Sequence, residues 1–292
     1  LRCWRNAASR SRCCLSVIHL RFGCECAVYK YTYPAPNLFA PGFVSLWAQT
    51  PCNRMQLTPV STLGEFGLIE RLARLLPPPH PSVLRGIGDD AAVIAQGQGR
   101  VLLMATDLLT EGVHFDLTYT PLKHLGYKAV AVNVSDILAM NGRPTVATVG
   151  VAFSSRFTVE ALEELYKGIA LACEEFGLDV VGGDTSSSRS GLFINVTVLG
   201  EAREDEVIYR SGAREHDLIC VSGDLGAAFA GLNVLEREKA VYQENPDVQP
   251  EINDYDYVVG RLLKPQPRAD LYDVFMAQLI SPRFPSRADR HR

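Results

Sequence analysis

Residues 86–107, GIGDDAAVIAQGQGRVLLMATD, decide the predicted fold because they place two short apolar runs on either side of a tight turn. The runs Ala91–Ala95 and Val101–Ala105 have the length of strands, and the glycines Gly97 and Gly99 between them favour a turn. Acidic residues lie at both ends of the stretch, outside the apolar runs. The stretch therefore predicts two adjacent strands that are flanked by carboxylates.

Further elements are predicted on both sides of this strand pair. They are a capped helix from Thr62 that ends before Pro77, a helix from Pro121 to about Met140 that Asn141-Gly142 end, a strand at Thr145–Phe153, a helix at Thr158–Phe176, a short buried strand at Asp179–Val181 and a strand at Leu192–Leu199. This order predicts an α/β (α+β) fold, a mixed sheet with helices on one face.

The chain is predicted to contain one full domain and the start of a second. Residues 55–205 hold the elements named above, and residues 206–271 begin an α/β domain in which Ser222–Gly226 form a turn before an alanine-rich helix. This second segment is shorter than an ordinary domain, so it is predicted to be truncated. Residues 272–292 contain scattered arginine and proline without a period, and we expect an unrelated tail.

Residues 1–54 differ from the rest in composition. They hold seven basic residues and one acidic residue, a charge of +6 in a chain whose net charge is −4, and six of its eight cysteines. A secretory signal would need an apolar run that Arg21 interrupts. A metal module would need regularly paired cysteines, which Cys24 and Cys26 do not supply. We favour a disordered leader outside the fold, read through to Met55.

The composition also restricts the location and the partners of the protein. The net charge of −4 does not favour nucleic-acid binding, and no apolar run reaches the ~20 residues of a membrane helix. Cys173 and Cys220 each lie alone in an apolar segment, which is typical of core thiols in a reducing compartment. The sequence predicts a cytoplasmic protein with no nucleic-acid or membrane partner.

Carboxylates occur at four unusual places in the predicted first domain. A single aspartate at a strand end is ordinarily a turn former or a helix cap. Four such places favour a shared function, because a carboxylate on a core-facing helix position costs several kcal/mol unless it is paired or binds a metal. The places are Asp90 after a glycine-rich turn, Asp107 and Asp184 at the ends of predicted strands, and Asp136 on an apolar helix.

Divalent cations explain this pattern best, because Mg²⁺ prefers carboxylate, water and phosphate oxygens. Glycines precede two of the acidic positions, at Gly86 and Gly88 and at Gly182 and Gly183, and a glycine backbone lets a phosphate approach closely. The sequence contains neither a P-loop nor a GxGxxG motif. A kinase without a P-loop must neutralise phosphate charge mostly with metal ions.

Six motifs resemble those of the thiamine-monophosphate kinase family, which belongs to the aminoimidazole ribonucleotide synthetase-like superfamily. They occur in the family's order and approximate spacing, from about Met55 to Leu271. The motifs are Gly64–Glu70 (GEFGLIE), Gly86–Ala91 (GIGDDA), Thr106–Phe115 (TDLLTEGVHF), Lys128–Asp136 (KAVAVNVSD), Gly182–Thr185 (GGDT) and Tyr209–Gly212 (YRSG). The resemblance implies direct Mg²⁺-dependent transfer from ATP to thiamine monophosphate, the last step of thiamine diphosphate biosynthesis. It also implies a homodimer through the N-terminal domain.

The resemblance implies site residues but no protein nucleophile. His114 matches a position that contacts the thiamine phosphate, although a lone histidine is as often structural. Arg210 suits a phosphate contact on chemical grounds as well, and Tyr166 could equally be a core aromatic residue. The implied Mg²⁺ ligands are Asp90, Thr106, Asp107, Asp136 and Asp184, and the implied ATP contacts are Tyr166, Gly183, Asp184 and Arg210.

The sequence departs from the family after Leu271. The family continues with segments resembling Asp-Ile-Ser-Asp-Gly-Leu and Gly-Gly-Glu-Asp-Tyr, which contribute metal, ATP and substrate contacts, and neither occurs in this sequence. One alternative is therefore an inactive nucleotide-binding remnant. Another is a different enzyme of the superfamily such as selenophosphate synthetase, but that enzyme should show a reactive N-terminal cysteine near a lysine. The string Glu111–Phe115 favours the thiamine enzyme.

Overall fold

The computed structural model of the chain describes residues 57–217, 221–272 and 274. From Leu63 onward the described residues form one compact unit, and Val60–Thr62 before it form a 3-10 helix. The predicted leader, nearly all of the predicted tail and Cys220 lie outside the described residues. None of the helices in this described part of the chain combines the length and the hydrophobicity that a membrane span requires.

Six strands and five helices make up the regular structure of the described residues after Leu63, together with two short 3-10 helices. The strands are β1 (Val83–Arg85), β2 (Ala92–Gly97), β3 (Arg100–Thr110), β4 (Arg143–Phe153), β5 (Asp179–Ser187) and β6 (Leu192–Arg203). The helices are α1 (Gly64–Ala73), α2 (Leu122–Ala139), α3 (Val159–Phe176), α4 (Ala227–Glu244) and α5 (Asp256–Leu263).

The strands form one mixed sheet in the order β1-β2-β3-β6-β4-β5. β4 and β5 pair in parallel and all other neighbours pair antiparallel. The turn between β2 and β3 needs three left-handed residues, and Gly97, Gln98 and Gly99 have φ angles of 85°, 54° and 71°. The predicted strand pair and the mixed α/β sheet are confirmed.

One face of the sheet forms the core beneath the helices. Along β6 the residues Leu192, Ile194, Val196 and Val198 are fully buried, whereas the residues between them are only half-buried. This alternation follows from the two-residue period of a strand. α2 contacts β3, β4 and β6 on the buried face, and α3 packs against α2.

The predicted ends of α2 and α3 are confirmed. Thr158 caps α3 by accepting a hydrogen bond from Ala161 N at 3.2 Å, and Gly177 ends it in the left-handed region. Asn141, with a φ of 58°, follows α2. Pro121 precedes α2 and fixes an extended entry into the helix.

Other predictions were wrong in detail. α1 begins at Gly64 and no side chain caps it, and its apolar residues Phe66 and Leu72 are 77% and 52% exposed. The three-residue strand β1 was not predicted, because it is too short to show a period. Tyr166 is exposed on α3, so it is not the core aromatic residue that the sequence left open.

The acidic strand ends also need correction. β5 is longer than predicted and every residue in it is exposed, because it is the edge strand of the sheet. Asp184 lies in the middle of β5, and Asp107 lies within β3, so neither residue ends its strand. Asp136 is half-buried on α2 as its apolar neighbours predict.

α4 and α5 pack on each other apart from the sheet. A Cβ atom at Gly231 of α4 would lie 2.1 Å from the carbonyl oxygen of Val258 in α5, so the two backbones are in contact there. Lys239 of α4 donates to Asp116 at 2.7 Å, which links this helix to the loop before α2. The domain boundary at residue 205 stays a prediction.

Candidate functional site

A cavity of about 360 Å³ lies between β3, α2 and the segment that follows α5. Asp107 of β3 and Asp136 of α2 line it, together with Arg210 and residues 265–267. Asp107 faces the helices because it lies two residues from both Ala105 and Leu109, which are buried on that face of β3. Two predicted Mg²⁺ ligands and one predicted ATP contact therefore share one cavity.

The carboxylates around this cavity destabilise one another. Burial and the neighbouring Asp107 and Asp90 raise the pKa of Asp136 to about 7, although Arg210 opposes the shift. Burial also raises the pKa of Asp107, and His114 opposes that shift. Since carboxylates that are brought together disfavour their charged forms, the site is electrostatically suited to a cation.

Arg210 binds both aspartates of the Asp89-Asp90 pair, but in different ways. Its Nε donates to Asp90 Oδ1 at 2.9 Å and its Nη2 contacts the same oxygen, whereas its backbone N–H donates to Asp89 Oδ1 at 3.2 Å. The Asp89 side chain is fully buried and also accepts from Arg85 Nε at 3.2 Å. Asp89 therefore holds the backbone of Arg210 in place. The more exposed Asp90 lies near enough to the cavity for its negative charge to affect Asp136.

His114 lies in the turn that follows β3. Its ring Nδ1 accepts a hydrogen bond from the backbone N–H of Thr110 at 3.0 Å. The backbone N–H of His114 in turn donates to the carbonyl oxygen of Thr110 at 2.9 Å. Because a backbone N–H can only donate, a neutral ring here carries its proton on Nε2. The turn thus fixes the orientation of an exposed imidazole, close enough to Asp107 to affect its pKa.

The other predicted site residues are not brought to this cavity by their side chains. Thr106 points to the opposite face of the sheet, where Thr197 donates to its hydroxyl at 3.0 Å. Asp184, on the edge strand β5, and Tyr166, on α3, are exposed and do not line the cavity. A Cβ atom at Gly183 would lie 1.9 Å from Val149 O, so strand packing already requires this glycine. Their predicted roles stay predictions.

The residues present suit Mg²⁺ in its usual protein setting. In the described part of the chain no three acidic, histidine or cysteine side chains lie close enough together to enclose a metal ion. Mg²⁺ ordinarily keeps several waters and binds through one or two carboxylates plus substrate phosphates. Asp107 and Asp136 on a shared cavity match that arrangement, and Asp90 adds a third charge nearby.

Sequence reasoning missed several residues of this site. Asp89 and Asp90 are identical in type, and only packing distinguishes the buried anchor from the more exposed carboxylate. Residues 265–267, a Pro-Gln-Pro segment, gave no chemical signal, although they line the cavity. Lys128 is a charged residue on the same apolar helix as Asp136, and that signal could have singled it out.

We expect Asp136→Asn to stabilise the protein at high pH. A raised pKa means that the folded state binds more protons than the unfolded state between about pH 4 and 7, so this carboxyl lowers the free energy of unfolding as pH rises through that window. The amide cannot ionise. The free energy of unfolding of Asp136→Asn should therefore exceed that of the unaltered chain by about 1–2 kcal/mol at pH 8, a figure discounted for solvent screening. At pH 4 the difference should be near zero.

Urea denaturation at both pH values, in the presence of a chelator, measures this effect. Asp179→Asn is the matched control, because Asp179 is an exposed aspartate of β5. An equal gain from Asp136→Asn at pH 4 and pH 8 would contradict the electrostatic cause.

Comparison with known proteins finds related sequences and a similar solved structure. Residues 88–202 match the family model of the AIR synthase related protein, N-terminal domain. The thiamine-monophosphate kinase of Bacillus subtilis (strain 168) is 37% identical over 192 residues, which are 66% of this chain and 57% of the relative. That of Aquifex aeolicus (strain VF5) is 39% identical over 181 residues, 62% of this chain and 56% of the relative.

A solved structure, AaThiL complexed with AMPPCP and TMP, superposes with a TM-score of 0.63 at 34% identity, covering 75% of this chain and 64% of that one. The resemblance predicted from the six motifs is thereby confirmed. The chain spans little more than half the length of the curated relatives described above.

Proposed function

Because the chain belongs to the thiamine-monophosphate kinase family, we propose that it binds ATP with Mg²⁺ and transfers the γ-phosphoryl group to thiamine monophosphate, giving ADP and thiamine diphosphate. The observation that carries this proposal is the position of Asp136. Its carboxylate lines a cavity with Asp107 and Arg210, and its pKa is raised to about 7 by burial and by the neighbouring carboxylates. A divalent cation that binds together with the polyphosphate of ATP would stabilise the charged carboxylates of this site.

In this proposal the chain's residues position the reactants and no side chain forms a covalent intermediate. Mg²⁺, held by Asp90, Asp107 and Asp136, would neutralise the charge that develops on the transferred phosphoryl group. Arg210 binds a phosphate oxygen of ATP, for which a guanidinium is well suited. Thr106, Asp184, Gly183 and Tyr166 complete the proposed metal and ATP contacts.

We place the acceptor beside His114. The turn after β3 holds this exposed imidazole through Nδ1, near enough to Asp107 to affect its pKa, and we propose that the acceptor contacts Nε2. A phosphate oxygen of thiamine monophosphate would attack the γ-phosphorus of ATP directly. Rate acceleration then comes from holding two anions in line, which is an effect of proximity and orientation.

We also propose a homodimer. The support is the sheet face opposite the helices, where the apolar side chains Met104 and Leu108 are 41% and 55% exposed. Apolar area of this kind is typical of surfaces that bind another protein. Sedimentation velocity tests this proposal, and a monomer at micromolar concentration would contradict it. The cytoplasmic location stays a prediction.

Isothermal titration and a turnover assay together test the proposed function. We expect AMPPCP to bind only when Mg²⁺ is present, and ATP with thiamine monophosphate to yield thiamine diphosphate. Binding without turnover would favour the nucleotide-binding remnant instead. The absence of Mg²⁺-dependent AMPPCP binding would overturn both interpretations, and a chelator in parallel samples provides the control.

A further inference from the structure

Lys128 lies on α2, half-buried, and its charge is not balanced by a neighbouring carboxylate. Its ammonium Nζ donates to the carbonyl oxygen of His114 at 3.2 Å, and no ion pair of this lysine is found among the described residues. Burial alone lowers the pKa of Lys128. An ammonium group has three donors, and only one of them has a partner in the described part of the chain. A partly buried, unpaired cation is costly unless it has an anionic ligand.

The position of Lys128 relates it to the candidate site. It precedes Val132 by four residues and Asp136 by eight, so all three lie on one face of α2, and the latter two line the cavity. At 1.5 Å per residue, the Cα atoms of Lys128 and Asp136 are about 12 Å apart. The carboxylates and Arg210 thus lie toward one end of this face, and Lys128 with the His114 turn lies at the other.

The charges of the site indicate that a cation near His114 is needed to bind the phosphate of the acceptor. A phosphorylated acceptor must approach Asp107 and Asp136 and the polyphosphate of ATP, whose negative charges Mg²⁺ would neutralise only in part. Arg210 is bound to Asp90, so its guanidinium is already neutralised in part. Lys128 is a cation on the acceptor side without a carboxylate partner in the described residues.

We propose that Lys128 binds the phosphate group of the acceptor in the phosphoryl transfer proposed above. The inference rests on that function and adds a residue to it. The ammonium group keeps its hydrogen bond to the carbonyl oxygen of His114 and directs its other donors to the acceptor's phosphate oxygens. Its positive charge holds this phosphate against the repulsion of the carboxylates, while His114 contacts the same ligand.

A purely structural role for Lys128 predicts something different. If the lysine only stabilised the His114 turn, its loss would lower the affinity for every ligand that contacts the turn, whether the ligand is phosphorylated or not. A phosphate-binding role predicts a loss that depends on the phosphate. Comparing thiamine monophosphate with thiamine therefore separates the two roles.

The experiment measures dissociation constants of thiamine monophosphate and thiamine by isothermal titration, with Mg²⁺ and AMPPCP present. The proteins are the full chain and its Lys128→Met and Lys128→Arg variants. We expect Lys128→Met to raise the dissociation constant of thiamine monophosphate by about 10- to 100-fold, which corresponds to the loss of one charged hydrogen bond. The dissociation constant of thiamine should stay unchanged. Lys128→Arg should retain most of the affinity. Lys123→Met, at an exposed position five residues earlier, should alter the binding of neither ligand.

Three results would decide against the inference. Equal weakening of both ligands would assign Lys128 to the turn and not to the phosphate. Unchanged binding of thiamine monophosphate by Lys128→Met would also overturn it, while the proposed function would stand. If the unaltered chain showed no preference for thiamine monophosphate over thiamine, the proposed function itself would fail. Circular dichroism of each variant confirms that a loss of binding is not a loss of fold.

Discussion

Asp136→Asn is expected to lower the rate of Mg²⁺-dependent phosphorylation of thiamine monophosphate by at least about 100-fold, because even the outer partners of a metal ligand contribute 10- to 100-fold. The amide keeps the shape of the side chain and removes the charge. The loss should appear in kcat, since the carboxylate acts on charge that develops during transfer. A coupled assay for ADP, run across Mg²⁺ concentrations, measures it.

The effect on activity should be opposite in sign to the effect on stability. Burial and the neighbouring carboxylates raise the pKa of Asp136 to about 7, so its charge destabilises the fold at neutral pH. A residue that lowers stability and raises activity is expected at a functional site. A variant that lost activity together with stability would point to a structural role for Asp136 instead.

Two further aspartates make this comparison specific. Asp184→Asn is expected to reduce turnover by a similar factor if Asp184 joins the metal site, as the family motif implies. Asp179→Asn removes an exposed carboxylate from the same edge strand and should change turnover less than twofold. Near-normal kinetics in Asp136→Asn would overturn the interpretation of the carboxylates as a metal site. Near-normal kinetics in Asp184→Asn alone would remove only that residue from it.

Elements with strong local signals could be predicted from the sequence. The glycines around Gln98 and the cap at Thr158 specify backbone conformations that few other residues adopt, so β2, β3 and α3 appeared where expected. Asp136 was identified as a site residue by the same kind of local contrast, a charge within an apolar helix. These signals depend on near neighbours in the sequence.

Features that depend on distant neighbours could not be predicted. A run of valines at residues 180–181 indicates a strand but not whether another strand covers it, and β5 is an exposed edge. The apolar side of α1 gave a helical period without showing that it would stay exposed. Asp89 and Asp90 could not be separated, because Arg85 and Arg210 select between them only in the folded chain.

The contact between α2 and α3 leads to the second large expected effect, on stability. Gly126→Ala places a methyl group 1.9 Å from the carbonyl oxygen of Leu165, and Gly168→Ala places one 1.9 Å from that of Lys123. Both obstacles are backbone atoms, so rotating a side chain cannot relieve the overlap. The helices must separate, and each substitution should lower the free energy of unfolding by about 3 kcal/mol.

A Gly→Ala substitution should instead raise the free energy of unfolding where the added methyl group meets no neighbouring element. Gly260 of α5 has no atom within 4 Å of an added Cβ, so Gly260→Ala should raise stability by about 0.5–1 kcal/mol through helix propensity alone. Urea denaturation of the three variants compares the two situations within one protein. If Gly126→Ala were as stable as the unaltered chain, α2 and α3 would not be in backbone contact. The position of Asp136, which α2 carries to the cavity, would then need another explanation, because this crossing fixes that helix above the sheet.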